Sequence, residues 1–479
     1  MINILFTNLK TKRKMKVKNL FAIVLASITL FACSNDDEPN GGQVVSGKDT
    51  WAAFSIKLPK TLTRSTNDDG SNATAEETKV ETVAIYIEQA DGHMTTSDKG
   101  IINLADYSSG STNNVYTAKM AIKAKTGNAK VWVVVNPTVA MHDRIMGFPA
   151  NAAFHTAFPA TAPDMAGGYI YATETGVTNA GFVMTNKETK EVTLVDVKTE
   201  DEAVNGGVPD DAKNHFTIEV ERAVAKVAVI SKKANLNDLN SLPQQGTFTD
   251  IKYYAAQINN NMLMARKTDA TVQPGGANIV TPGNDDDGTN VFGISTLDLN
   301  GDPLDINPVG TAANKLNSIY LLENSMLDPQ QRNATHVVVE AIWTPKTLYK
   351  ADGITEFAAG EYTTGDDFWF YNSKYYGELP KELVVGSGDP NAGKGNDYKW
   401  TGGKCYYFVY LYDKYGAGDD VFYDVVRNTV YNVNLSSIKA PGVNVPTPPV
   451  GPIQQPAYVT ATVEIAPWTL AAMDDVDLQ

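Results

Sequence analysis

Between Trp51 and Leu58 the chain alternates: Ala52, Phe54, Ile56 and Leu58 share one face, and Ala53, Ser55 and Lys57 the other. A period of two is that of a half-buried strand. Behind it stand Arg64 and a polar run, 65–75, that contains Gly and Asn. Exposed segments of that composition are where proteases cut. The pair reads as a removable strand, 52–58, followed by its processing bond, Arg64–Ser65. At the far end Val459, Ala461, Val463 and Ile465 repeat the alternation. Six prolines between 441 and 456 precede them, and such a stiff segment extends about 3.1 Å per residue, or roughly 50 Å in all. The expectation is a tether that carries the last strand away from its own domain. A C-terminal donor strand of one molecule then replaces the N-terminal strand of another.

Most of the intervening chain also has the strand period. Segments 80–89 and 114–122 alternate, and 130–136 (KVWVVVN) is a continuous apolar run, the pattern of a strand buried on both sides. Segments 181–186 and 191–197 are weaker strands. The run 215–230 (HFTIEVERAVAKVAVI) reads as one long strand with a bulge or bend near Ala225 and Lys226. After a polar connector, 231–247, strands resume at 248–258, 336–343, 404–412 and 425–438. Residues 138–165, rich in Ala and Met, hold a short helix or an Ala-rich loop. With 22 Tyr, 16 Phe, and Gly and Pro at short intervals, the chain is expected to be all-β, built of sandwiches or barrels.

The ends carry delivery signals. Lys10, Lys12, Arg13, Lys14, Lys16 and Lys18 precede an apolar run, 20–32, that is too short to span a bilayer and fits a signal-peptide core, with Met15 as the start. Leu30-Phe31-Ala32-Cys33 resembles a bacterial lipobox, and the acidic tract 34–38 after it resembles a surface-export signal. Membrane attachment would rest on a lipid at Cys33. Cys405 is the only other cysteine, so a lipidated Cys33 leaves no disulfide framework. The net charge is -15, and removal of 1–64 leaves 30 Lys and Arg against 51 Asp and Glu, about -21. That balance argues against nucleic acid or an anionic membrane as partner.

Candidate chemistry is thin. His93, His142, His155, His215 and His336 form no metal-binding spacing, and no phosphate loop, dinucleotide fingerprint or nucleophile elbow occurs. Asp285 to Asp287 lack the alternate-position ligands of a calcium loop. No cofactor and no catalytic residue is expected. Aromatic runs at 368–371 and 406–408 read as strand filling rather than sugar platforms.

Several segments together resemble the fimbrillin family, the type V pilins of anaerobic oral and gut bacteria. They are Val220-Glu-Arg-Ala-Val-Ala-Lys226, Ala341-Ile-Trp-Thr-Pro-Lys346, Gly365-Asp-Asp-Phe-Trp369, the Tyr406-Tyr407 strand, Val426-Arg-Asn-Thr-Val-Tyr431 and Val463-Glu-Ile-Ala-Pro-Trp468. The resemblance implies two transthyretin-like β-sandwich domains in tandem, 65–235 and 236–440. A lipoprotein signal peptide (1–32) and a propeptide (33–64) would precede them, and a proline-rich tether (441–456) and a donor segment (457–479) would follow. It also implies an outer-membrane surface lipoprotein precursor lipidated on Cys33 and cut by an arginine-specific surface protease. The mature form would polymerise head-to-tail with its own copies into an extracellular fimbria. Partners would be anchor and tip accessory subunits and host or bacterial surface receptors. The competing expectation is a monomeric surface glycan-binding lipoprotein of a polysaccharide-uptake system, with aromatics exposed in a row.

Overall fold

The structure is a computed structural model. It describes residues 47–59, 75–112, 114–147, 157–159, 181–204, 213–231, 233, 235–259, 261–264, 267–268, 279–280, 294–295, 304–308, 318–325, 329–414, 421–453 and 459–467. Cys33, Arg64, Ser65 and the acidic loop 282–288 lie outside the described residues.

The first half of the described chain builds one ten-stranded sheet. Its strands are β1 (Asp49–Lys57), β2 (Thr82–Gln89), β3 (Met94–Asn103), β4 (Ser108–Thr112), β5 (Val115–Ala118), β6 (Ile122–Lys125), β7 (Gly127–Val135), β8 (Met184–Asn186), β9 (Lys190–Leu194) and β10 (His215–Arg222). They run in the order β3-β2-β7-β8-β10-β1-β5-β4, with β9 paired to β7 and β6 to β1. Val83, Ile85, Ile87, Val131, Val133 and Val135 share a buried cluster with Phe54, Ile56, Phe216 and Ile218 from the far side of the sheet order. The sheet therefore folds over a common core. The alternate residues Ala84, Tyr86, Trp132 and Val134 are buried in a second cluster, so β2 and β7 are covered on both faces, as the apolar run predicts. The segment 114–122 divides into two strands, and a helix, Val139–Met146, capped by the Thr138 side chain, begins the Ala- and Met-rich stretch.

The run 215–230 is not one bent strand. β10 ends at Arg222, and β11 (Ala225–Ser231) enters a different sheet. The crossing is made by two buried residues, whose backbone bonds face opposite ways: Ala223 N–H donates to Val183 O (3.0 Å), and Val224 O accepts from Asn428 N–H (2.8 Å). Periodicity cannot see this, because both strands are apolar on the same spacing.

Further short strands of two or three residues aside, the others are β12 (Gly246–Ala256), β13 (Ser318–Leu321), β14 (His336–Pro345), β15 (Phe368–Tyr371), β16 (Lys374–Tyr376), β17 (Lys399–Trp400), β18 (Lys404–Tyr410), β19 (Thr429–Ile438) and β20 (Val459–Pro467). One sheet runs β13-β11-β19-β20, another β12-β14-β18, and a small one β16-β15-β17. Val227, Val229, Tyr431 and Val433 of the former meet Tyr253, Val337, Val339 and Trp343 of the latter in one buried cluster. The strand expected over 425–438 begins only at Thr429. The aromatics of 406–410, Phe368 and Tyr371 are buried, which makes them core, but Trp369 is half-buried and Phe370 is 37% exposed, so the 368–371 run is strand filling only in part. Cys405 is a buried free thiol, and burial raises its pKa.

His336 opens β14 with its ring packed between Phe408 (5.5 Å between centroids) and Tyr410 (5.2 Å). Burial pulls its pKa down to about 4, partly opposed by its bond to Ala334 O. The folded state therefore holds this imidazole neutral, while the unfolded chain takes up a proton below its ordinary value of 6.5. Stability is full above that value and is lost as pH falls towards 4, by at most about 3 kcal/mol. In urea titrations across that window, His336→Gln should lose stability less steeply than the parent; equal slopes would contradict the assignment.

Candidate assembly site

The expected removable strand lies inside the first sheet. Over Ala53–Lys57, β1 pairs in parallel with His215–Glu219 of β10. Its other edge pairs antiparallel with β6 over Asp49–Ala52 and with β5 at Ile56 and Lys57. Further bonds run from Trp51 N–H to Val197 O (3.2 Å), Ala53 N–H to Asn214 O (2.9 Å) and Leu58 N–H to Asn114 O (2.9 Å). Both edges of β1 are thus used. Ala52, Phe54, Ile56 and Leu58 are buried, and Phe54 stacks on Phe216 at 5.9 Å.

Sequence reading makes the opposite face solvent-exposed, and here the structure corrects it. Ala53 and Ser55 are each 1% exposed. The Ser55 hydroxyl lies 2.8 Å from His215 Nε2 and accepts from Ala118 N–H at 3.3 Å. A hydroxyl satisfies buried partners without a charge, so Ser55 counts as polar in an alternation count yet sits in the interior. Only Lys57 reaches outward, 3.3 Å from Glu219, which Lys187 also approaches at 3.3 Å. Burial pushes the Glu219 carboxyl up, but the two ammonium groups more than offset it and hold it below its usual value.

The segment after the expected cut is anchored separately. Glu77 is 2% exposed. It accepts from Tyr320 OH at 2.5 Å, pairs with Lys226 Nζ at 3.1 Å, and its carbonyl accepts from Arg222 Nε at 3.0 Å. Burial and the Glu77 carboxylate keep the Tyr320 hydroxyl protonated, well above its ordinary pKa. Burial lowers Arg222 to about 10, with Glu77 opposing the shift, so it stays charged at neutral pH. Nearby, Arg427 Nη2 meets Glu323 at 2.6 Å and Leu263 O at 2.7 Å, while Nη1 donates to Thr185 of β8 at 3.1 Å. These side chains tie the first sheet to the second set, and the sequence reading gave them no role. The available signal was Arg222, Lys226 and Arg427 standing in otherwise apolar strands, where a charge must be paired.

In the single chain the C-terminal strand packs on its own molecule. β20 pairs antiparallel with β19 of the same chain, from Ile438↔Val459 to Thr429↔Pro467. Val459 and Val463 are buried, Ala461 is half-buried and Thr462 is exposed; Ile465 takes register opposite Tyr431. Nor does the described part of the tether hang free. Val443 forms a bridge with Tyr406, Gly442 O accepts from Trp400 Nε1 (3.0 Å), Pro448 O from Arg332 Nε (3.1 Å) and Gly451 O from Gln331 N–H (2.9 Å). Prolines leave carbonyls without competing N–H groups, and neighbouring side chains collect them. Among the described residues no three His, Cys, Asp or Glu side chains gather as around a metal ion.

Residues 52–222 match the family model of the major fimbrial subunit protein (FimA), and residues 398–474 that of the major fimbrial subunit protein type IV, fimbrillin, C-terminal. The first match begins within β1 and ends on the last residue of β10. Among solved structures, a candidate cell adhesion protein from Parabacteroides distasonis ATCC 8503 is 16% identical, with a TM-score of 0.45 over 88% of this chain and 99% of that one. A fimbrilin (FimA) from Porphyromonas gingivalis W83 is 14% identical, with a TM-score of 0.42 over 88% of this chain and 99% of that one. The tip fimbrial protein Mfa3 from Porphyromonas gingivalis, solved with a C-terminal truncation, is 12% identical, with a TM-score of 0.37 over 88% and 100%.

Truncating Phe54 removes a buried ring that stacks on Phe216 in the core. Phe54→Ala should lower the unfolding free energy of the uncut chain by about 3–5 kcal/mol; a loss below about 1 kcal/mol in denaturant titration would mean that β1 is not part of the core.

Proposed function

Because the chain belongs to the fimbrillin family, we propose that it is the structural shaft subunit of an adhesive fimbria. In this reading it is exported as a lipoprotein on Cys33, cut between Arg64 and Ser65, and polymerised by donor-strand exchange. The observation that carries the reading is β1: a strand bonded on both edges, buried on both faces, and followed in sequence by Arg64 and Ser65. Burial of Phe54, Ile56 and Leu58 contributes at most about 1.5–3 kcal/mol each. Uncut, β1 competes for its slot as part of the same chain. Once cut, it is a short peptide that can leave for good.

Its departure would leave β10 on one side and β5 and β6 on the other with unpaired backbone groups, an edge that invites an incoming strand. The Glu77 anchor supports the same reading, since it lies beyond the cut and would hold the new N-terminal segment on the body. The donor is the segment from 457, with Val459, Ala461, Val463 and Ile465 facing the core. In the free chain β20 closes its own sheet on β19, so donation requires it to peel away. The precursor is then self-complemented at both ends, which keeps it monomeric. The change of sheet membership at Ala223 and Val224 supports a division into two sandwiches, with the joint upstream of the connector 231–247 rather than after it. A head-to-tail joint is heterologous and open, and it propagates as a filament.

Arg64→Ala should leave full-length monomer on the cell surface, read by intact mass and by the absence of SDS-resistant ladders; abundant ladders from that variant would refute cleavage as the switch. A synthetic peptide of residues 457–479, added in excess to cut subunits, should cap the vacated slot and shorten filaments in electron micrographs. Unchanged filament lengths at saturating peptide would remove the donor assignment.

A further inference from the structure

Two separate places on the body hold the proline-rich tether. The inner one is a short ladder: Tyr406 N–H donates to Val443 O (2.9 Å) and Val443 N–H to Tyr406 O (3.0 Å). Trp400 Nε1 donates to Gly442 O (3.0 Å), the Tyr407 hydroxyl to Ala440 O (2.9 Å) and Asn444 Nδ2 to Lys399 O (2.8 Å). Gly442 is pressed so close that a Cβ there would stand 2.3 Å from Tyr406 O. The outer place is the turn at 330–333. Its Gln331 donates the backbone N–H to Gly451 O (2.9 Å) and Nε2 to Pro452 O (2.8 Å), and Arg332 Nε donates to Pro448 O (3.1 Å). Between the two places, residues 445–447 are exposed.

We infer that the outer contact is a releasable clasp: while Gln331 and Arg332 hold the tether, β20 is kept beside β19, and their release frees it for a second copy. The inference rests on the exchange reading above and adds to it the step that makes the donor strand available.

Chain length supplies the reason. Ile453 and Val459 are six residues apart, at most about 20 Å of extended chain. With the clasp closed, the start of β20 cannot move farther than that from its own body. With the clasp open and the ladder kept, the free chain runs over the fifteen residues from Asn444 to Val459, or about 45 Å when extended. The reach of the donor more than doubles while its root stays fixed. The ladder is the part that stays, because it has five bonds to the clasp's three and Gly442 at its centre is buried. Two of the clasp's bonds come from side chains, one of them the exposed Arg332, and water replaces such a bond at little cost.

A covalent lock tests this. Gln330 and Pro452 face each other as an isolated antiparallel pair. The bond from Gln331 N–H to Gly451 O runs between their neighbours, so the pair has the close, non-hydrogen-bonded spacing that a disulfide can bridge. The full chain cut after residue 64 and carrying Gln330→Cys with Pro452→Cys should, when oxidised, form no filaments in electron micrographs. It should still bind a dye-labelled peptide of residues 457–479, and reduction with dithiothreitol should restore polymerisation. Parent-rate filaments from the oxidised protein would mean that the tether stays docked in the polymer, and the clasp would fall while exchange stood. Gln331→Ala with Arg332→Ala removes two of the three clasp bonds and should raise the polymerisation rate, followed by light scattering, about ten-fold. An unchanged rate would overturn the clasp even where the cysteine pair disturbs folding. If the cut parent neither polymerises nor binds the peptide, the exchange reading fails and takes the clasp with it.

Discussion

Both backbone edges of β1 are occupied, and every other feature of the assembly site follows from that constraint. A strand at the margin of a sheet can leave and expose one row of N–H and C=O groups. A strand bonded to β10 on one side and to β5 and β6 on the other exposes two rows when it leaves, together with the apolar floor beneath Phe54 and Ile56. Unpaired buried backbone groups are costly, so the body without β1 is poorly satisfied until something of the same shape arrives. Under the proposed exchange, the same physics would secure the plug before cleavage and make its loss a driving force afterwards.

Such a slot has to open without unfolding the rest. The paired charges at the sheet junction bear on this. Glu77, Lys226, Tyr320 and Arg222 connect the segment just after the cut to β10, β11 and β13, and Arg427 connects β8 to the loop before β19 through Glu323 and Thr185. Buried ion pairs are weak evidence for added stability but strong evidence for geometry, since removing one partner leaves a charge in the interior. Each bond described for these residues runs to a partner outside β1.

The C-terminal strand presents the complementary problem. β20 is satisfied by β19 in its own chain, with Val459 and Val463 covered. The proposed exchange would trade that pairing for one in a neighbour, so its net gain would be the difference between two similar strands rather than the full worth of one. A difference of that kind depends on individual side chains rather than on total buried area.

The strands themselves were legible from spacing. Alternation at 52–58 and the apolar run at 130–136 are local properties, and local properties survive the step from chain to fold. Partnership was not legible. Nothing in HFTIEVERAVAKVAVI says that its two halves enter different sheets, because that is decided by bonds from Ala223 to Val183 and from Asn428 to Val224, residues far apart in sequence. Nor could proline content say whether the tether extends or docks, since the outcome depends on whether Tyr406, Trp400 and Arg332 stand where its backbone passes. Alternation likewise could not reveal that Ser55 is interior, because polarity is read residue by residue while satisfaction requires a partner, and that partner, His215, is supplied only when β10 lies alongside β1. The chain determined which segments would be strands; long-range pairing decided what each strand faces, because hydrogen bonds between strands are indifferent to sequence distance.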